Sequence, residues 1–297
     1  MLGSRIEALA DDHDSKPKCL SGLSQLFRRI GNHAERKRLL THTLELQRRR
    51  KDDLKVAETL RHLSEANLDL GVNEEGIRQA KEALEIFERV GDVVGQVNLL
   101  SVISWLLFND KQLDAAKDAA SCAIGLASEK GQEYLICRLH RFLGLVYRSK
   151  GEKEKAIHHF EIALRIASSL NWHDALFWTH YDLAHLFCDE GEFDDVNFHT
   201  EQAKPHTLGD AYKLGCVRHM QADIWYLQGR LEDAKSEVLC ALDIFEKLGA
   251  AYNAGVCRDL LQMVVRPTKT WSVGFKSESL ETIPRSTLVN VYFLSLA

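Results

Sequence analysis

The chain has 297 residues, of which 27% are charged and 45% are hydrophobic, and its net charge is −5. These values are ordinary for a globular protein and give no general reason to expect nucleic-acid binding. No segment approaches the roughly 18 consecutive apolar residues of a membrane span, and the first 18 residues lack the apolar centre of a signal peptide. We therefore expect a cytoplasmic protein that binds neither nucleic acid nor membrane.

Turn residues return along the chain at a nearly constant interval. A first set is separated by 40, 40, 40, 40 and 38 residues, and a second set lies half a period away. The first set is Gly31, Gly71, Lys111, Gly151, Gly191 and Gly229; the second is Gly91, Gly131, Asn171, Gly209 and Gly249. Such a period predicts a repeated unit of two segments, each about twenty residues long.

The segments carry apolar residues at helical spacing. After Gly151, five residues share one stripe of a helix: Ala156, Phe160, Ala163, Leu164 and Ala167. No proline interrupts a predicted helix before Pro205. We predict an all-α solenoid of six helical hairpins plus a capping helix over 252–265. The array is expected to cover 18–266, between a disordered segment at 1–17 and an irregular tail at 267–297.

The first predicted hairpin is strongly basic. Residues 28–51 contain nine Lys or Arg and two Glu, in a chain that is acidic as a whole. Three interpretations remain open: cations at 48–51 stabilise the end of a helix, the surface binds an acidic protein, or it binds nucleic acid. Nucleic acid is disfavoured because no aromatic residues are interleaved for base stacking.

A more specific motif surrounds the turn at Gly151. Seven residues there resemble the tetratricopeptide (TPR) signature L-G-x-x-Y-x-x-x-G followed by A-x-x-x-F-x-x-A: Leu143, Gly144, Tyr147, Gly151, Ala156, Phe160 and Ala163. The resemblance implies a right-handed superhelical stack whose first helices line a concave, partner-binding surface. A period of 40 instead of about 34 implies longer helices or turns, as in kinesin-light-chain-like arrays.

Longer stretches, such as EGIRQAKEALEIFERVGD and SKGEKEKAIHHFEIALRIASSLNWHD, resemble the C-terminal repeat arrays of fungal NACHT or NB-ARC signalling ATPases. In that family the repeats act as the sensor or partner-binding half. No G-x-x-x-x-G-K-[ST] phosphate-binding loop occurs, so we expect a non-catalytic scaffold or sensor, either a stand-alone array or a fragment of a longer product. The alternative is a regulatory subunit of a large assembly such as the anaphase-promoting complex, whose subunits carry similar repeats.

The repeat shortens by two residues between 191 and 209, and Pro205 lies in that interval. Because proline lacks an N–H group and clashes with the preceding turn, we expect the helix to end about one turn early and the curvature to change there. After Pro267 the helical period stops. The final segment STLVNVYFLSLA is similar to an aggregation-prone strand, and either folds back on apolar surface or is an altered gene end.

Cysteines and histidines form no recognised metal or catalytic motif. The seven cysteines include no C-x-x-C pair, and the histidines include no H-E-x-x-H sequence, so we expect solvated or groove-lining histidines. Cys216 and His219 lie three residues apart without a matching second pair. Cys122 and Cys240 share one repeat position and are expected to pack in the helix seam. We predict no metal, no cofactor and no catalytic residue.

The predicted concave surface carries aromatic, arginine and histidine side chains, which are enriched at interface hot spots. The candidates are Trp105, Arg138, Arg141, Arg148, Trp178, Tyr181, His185, His219 and Asp223. Either tryptophan could equally pack between repeats. Three arginines on one helix face favour an acidic or phosphorylated peptide, unless Glu133, Glu161 or other carboxylates neutralise them. The Lys and Asn clamp of co-chaperone TPR domains is absent, and we expect a monomer that binds a protein or peptide.

Overall fold

The computed structural model describes residues 15–265. This part of the chain contains thirteen α-helices, one short 3-10 helix and no strand, which confirms the predicted all-α fold. The helices are α1 (Lys16–Arg29), α2 (His33–Arg50), α3 (Asp53–Asp69), α4 (Asn73–Val90), α5 (Val93–Asn109), α6 (Leu113–Glu129), α7 (Glu133–Ser149), α8 (Lys153–Ser169), α9 (His173–Glu190), α10 (Phe193–Ala203), α11 (Ala211–Leu227), α12 (Leu231–Lys247) and α13 (Ala251–Val265).

The predictions for the two ends fall mainly outside the described residues. The tail at 267–297 lies outside them completely. Of the segment 1–17, Ser15, Lys16 and Pro17 are described: Ser15 is the N-cap of α1, and Lys16 and Pro17 begin its first turn. Proline fits there because a first-turn N–H group has no partner within the helix.

The helices contact their chain neighbours as successive hairpins, in two compact units that divide between Lys150 and Gly151. In the first unit, α1 packs on α2, α3 on α4 and α5 on α6, while the first helices α3, α5 and α7 also contact one another in succession. In the second unit, α9 packs on α10 and α11 on α12, and α13 packs on α12. First helices that touch across repeats are the inner layer of a TPR-like solenoid.

Every connection between consecutive helices contains one residue with a positive φ angle. Nine of these residues are glycines, as the turn spacing predicts, and the others are Lys51, Lys111 and Asn171. Lys51 completes the second set of turns, with φ 56°. Its N–H donates to the carbonyl of Arg48, and this bond closes α2.

The buried stripe runs along the second helix of each hairpin. The residues five, nine and twelve positions after each first-set turn are buried in all six hairpins. At the fifth position, five hairpins carry Gly, Ala or Val, whereas the first carries Arg36. Small residues allow the helices to approach closely, so the first hairpin needs another way to fill its seam.

Two predictions about the second helices of the hairpins have opposite outcomes. α10 ends at Ala203 and the 3-10 helix Lys204–Thr207 contains Pro205, which confirms the early helix end. The predicted burial of Cys122 and Cys240 is wrong, because both are exposed. The next residues, Ala123 and Ala241, lie on the buried stripe instead. Because one residue corresponds to a rotation of about 100° around a helix, the two cysteines lie outside that stripe.

Candidate functional site

Trp105 and Trp178 are buried inside the fold and do not lie on the predicted partner-binding surface. Trp105 is 9% exposed and packs edge-on against Phe142 of α7, with ring centroids 4.7 Å apart. Trp178 is 2% exposed and lies against Phe177 and Tyr181. The alternative, packing between helices, is the one adopted, because burying a large aromatic ring is strongly favourable.

Tyr181 is also buried, which removes it from the predicted surface. Its ring stacks on Phe177 at 5.9 Å and meets His185 edge-on at 4.5 Å. A hydrogen bond joins its hydroxyl to the Cys216 thiol, whose pKa is raised by burial. The hydroxyl group of Tyr181 is thus hydrogen-bonded inside the second unit. His185, in contrast, keeps part of its surface exposed.

His219 and Asp223 form a pair one turn apart on α11. The Nδ1 atom of His219 lies 3.2 Å from Oδ2 of Asp223. Burial raises the pKa of Asp223, and the charge of His219 opposes that shift. Both side chains keep some exposure, so they remain candidates on the inner layer of the second unit.

The three arginines of α7 remain partly exposed in the first unit. Burial lowers the pKa of the Arg138 guanidinium, the positive charge of Arg141 lowers it further, and Glu65 of α3 acts in the opposite direction. Arg148 lies in the last turn of α7, where a cation stabilises the helix dipole. Arg138 and Arg141 are therefore the two that share an electrostatic environment with α3.

Glu65 is the acidic centre of this environment. Its carboxylate lies 2.7 Å from Arg36 and 3.8 Å from Arg28, and it also pairs with Arg61. Burial would raise the pKa of Glu65, but the positive charges of Arg61, Arg36 and Arg28 hold it below its usual range. The carboxylate stays ionised, and three guanidinium groups share it.

Asp69 is the second acidic partner. Arg36 donates to its Oδ2 at 2.8 Å, and Nδ1 of His33 lies 3.0 Å from the same oxygen. Burial lowers the pKa of His62 to about 4, so this imidazole is neutral at pH 7 and its Nε2 accepts a hydrogen bond from Arg61 at 2.7 Å. We call the following set the arginine cluster: Arg28, Arg36, Arg61, Arg138 and Arg141, with Glu65 and Asp69.

The arginine cluster is shielded by protein yet open to water. The side chains of Glu65 and Asp69 are 20% and 12% exposed, and Arg138 also keeps accessible surface. Burial acts against the charged forms of both Glu65 and Arg138, as expected for groups that the surrounding protein shields from water. The helix α5 contains no charged residue, so it supplies no carboxylate to the cluster.

The sequence analysis named Arg138 and Arg141 as candidate partner-binding residues but did not name Arg28 or Arg36 among them. The sequence did contain a sign that Arg36 is unusual: it is a charged residue at a stripe position where the other five hairpins carry Gly, Ala or Val. Within residues 15–265 no three His, Cys, Asp or Glu side chains converge where they could hold a metal ion, and none of the helices has the length and apolar character to cross a membrane.

No protein-family model matches the sequence, and neither does any curated protein. Solved structures do match it. A Rap protein complexed with Competence and Sporulation Factor has a TM-score of 0.66 at 17% identity, with 89% of this chain and 78% of that chain covered. The hetero-tetramer Cut9–Hcn1 of the anaphase-promoting complex has a TM-score of 0.62 at 15% identity, covering 89% and 46%.

A third match is the signal transduction ATPase with numerous domains (STAND) from Pyrococcus horikoshii, which has a tetratricopeptide repeat sensor. Its TM-score is 0.62 at 14% identity, with 84% of this chain and 42% of that chain covered. At such identities the likeness concerns the fold. Together with the helical hairpins and their repeated turns, it shows that this chain is a TPR-like helical repeat protein.

Proposed function

We propose that the chain is a non-catalytic interaction module whose first unit binds an acidic segment of a protein or peptide at the arginine cluster. The observation that carries the proposal is the concentration of positive charge there: among the residues that the structure describes, five guanidinium groups lie around Glu65 and Asp69 on a partly exposed, shielded surface. An added carboxylate or phosphate would offset the repulsion between Arg138 and Arg141.

The physical basis is the strength of charge-assisted hydrogen bonds in a shielded site. Guanidinium groups bind carboxylates and phosphates through two parallel N–H donors. Two opposite charges roughly 4 Å apart attract by about 4 kcal/mol at the effective dielectric constant of about 20 that applies near a protein surface. A segment with two or three acidic residues gains this attraction at several points, which offsets part of the cost of ordering it.

Structures with the same fold support an interaction role. They include a Rap protein in complex with Competence and Sporulation Factor, a TPR sensor within a STAND ATPase, and the assembled Cut9–Hcn1. We favour a cytoplasmic, monomeric sensor module related to the repeat arrays of NACHT or NB-ARC ATPases. The alternative is a scaffold subunit of a large assembly, which would copurify in a stable complex of fixed composition.

The test measures binding of fluorescein-labelled Asp- and Glu-rich peptides by fluorescence anisotropy. Replacing Arg138 and Arg141 together by Ala should raise Kd at least about tenfold, because the variant lacks two charged hydrogen-bond donors. A tenfold rise corresponds to a loss of about 1.4 kcal/mol of binding free energy. The matched control replaces Arg78 and Lys81, which have the same spacing and are exposed on α4.

The proposal requires a difference between these two double variants. It also requires that a Gln-rich peptide of the same length binds at least about tenfold more weakly than the acidic one. Equal binding by the Arg138/Arg141 variant and the wild type would contradict the assignment, provided that circular dichroism shows both to be folded.

A further inference from the structure

Four histidines of the second unit form two closely matched pairs. The Nδ1 atoms of His173 and His206 are 3.0 Å apart, and those of His180 and His199 are 3.1 Å apart. In both pairs the ring planes are tilted by 33°. His173 and His180 lie seven residues apart on α9, and His199 and His206 are also seven apart on the returning segment, so the pairs lie one above the other.

In each pair, the Nδ1 atoms of the two imidazole rings face each other. A single proton fits between two nitrogens at this distance, so both imidazoles cannot be protonated on Nδ1. The ring of Phe187 stacks on His199 at 5.4 Å and holds its orientation. Neutral, oriented imidazoles are the form that binds metal ions.

We propose that each pair is a two-histidine clamp for a divalent late transition-metal ion, Cu²⁺ or Ni²⁺, with water completing the coordination. A metal–nitrogen distance of about 2.0–2.1 Å and the nitrogen separations in the two pairs give an N–metal–N angle of about 95°. That angle suits adjacent positions of a tetragonal or octahedral site, whereas tetrahedral Zn²⁺ needs about 109°.

Binding requires a tautomer change but no net release of a proton at neutral pH. The proton between the two nitrogens moves to Nε2 of its own ring, and both Nδ1 lone pairs then face the metal. Cu²⁺ should bind more tightly than Ni²⁺, following the usual order of divalent affinities.

The surroundings predict that the two clamps differ in affinity. The carboxylate of Asp195 acts on His199, whereas the ammonium group of Lys213 acts on His206. Lys213 is itself paired with Asp174 at 2.6 Å. A nearby negative charge favours a bound cation and a nearby positive charge opposes it, so the His180–His199 clamp should be the tighter one.

The test titrates the full chain with Cu²⁺ by isothermal calorimetry and records the electron paramagnetic resonance of the bound ion. The wild type should bind two Cu²⁺ ions, each with two nitrogen ligands in the spectrum. His199→Gln should remove the tighter site, His206→Gln the weaker one, and the double variant both. The matched control is His158→Gln with His159→Gln, an adjacent pair on α8 whose rings meet edge-on at 5.5 Å.

Two results would overturn the proposal. One is a double variant that binds Cu²⁺ with the affinity and stoichiometry of the wild type. The other is loss of both sites in the His158/His159 control. If circular dichroism shows that His199→Gln is unfolded, the variant His173→Gln with His206→Gln replaces it, because that pair is the exposed one. This variant should bind one Cu²⁺ ion fewer than the wild type, with Kd at the His173–His206 site raised at least about tenfold.

Discussion

Arg36 occupies a stripe position at which the other hairpins carry glycine, alanine or valine. Its side chain is 1% exposed, yet both terminal nitrogens are paired, with Glu65 at 2.7 Å and Asp69 at 2.8 Å. A buried guanidinium is tolerated only with such partners. The first hairpin is therefore joined to the second by charged hydrogen bonds where later hairpins use small apolar contacts.

Phe160 is a fully buried aromatic residue of the repeat that keeps the whole TPR signature. Phe160→Ala should lower the free energy of unfolding by about 3–5 kcal/mol, because it leaves a cavity in the seam. Urea denaturation followed by circular dichroism measures the change, and His158→Ala, exposed on the same helix, is the control. An unchanged midpoint for Phe160→Ala would mean that the stripe is placed wrongly.

His62 and His180 make stability depend on pH. Burial lowers both pKa values to about 4 in the folded chain, below about 6.5 for an unfolded one. The unfolded chain then binds more protons between these values, so stability should fall as the pH decreases from about 6.5 to about 4. Urea midpoints at a series of pH values test this, and His180→Gln should flatten the curve. A steeper curve for that variant would contradict the prediction.

At the scale of helices, two glycines have opposite surroundings. A Cβ atom on Gly95 of α5 would lie 2.5 Å from the ring of Phe87 on α4, whereas one on Gly125 of α6 would meet nothing within 4 Å. Gly95→Ala should therefore destabilise the chain by about 1–3 kcal/mol through overpacking. Gly125→Ala should stabilise it by about 0.5–1 kcal/mol, because alanine is the better helix former.

Thermal melts of the two glycine variants make the comparison directly. The expected midpoints lie on opposite sides of the wild type. If both variants melt at the same temperature, the close packing of α4 against α5 is not what restricts residue 95.

At the scale of the whole molecule, the repeat pattern ends near Arg266. Deleting 267–297 should leave helix content and the thermal midpoint almost unchanged, because no hairpin pattern extends into that segment. The comparison is a chain ending at Gly249, which also lacks α13 and exposes the face of α12 that α13 covers. That shorter chain should melt at a lower temperature. Aggregation or a large loss of stability in the first deletion would show that the tail covers apolar surface.

The sequence alone was sufficient to predict the hairpins, their period and the early end of α10. These features depend on contacts within a few residues: apolar stripes, turn glycines and the effect of Pro205 on its own helix. The sequence analysis did not place Lys51 in the second set of turns, although the 40-residue spacing placed Lys111 in the first. Its turn is closed by backbone hydrogen bonds that any residue can make.

The tertiary structure decided which side chains meet. Helical spacing placed Trp105, Trp178 and Tyr181 on first helices, but only the neighbouring helices determined that these rings are buried. Arg28, Arg36 and Glu65 come from three helices, and the paired histidines come from α9 and the segment that returns along it. Local periodicity fixes the face of a helix on which a residue lies, whereas a site depends on distances between residues that are far apart in the chain.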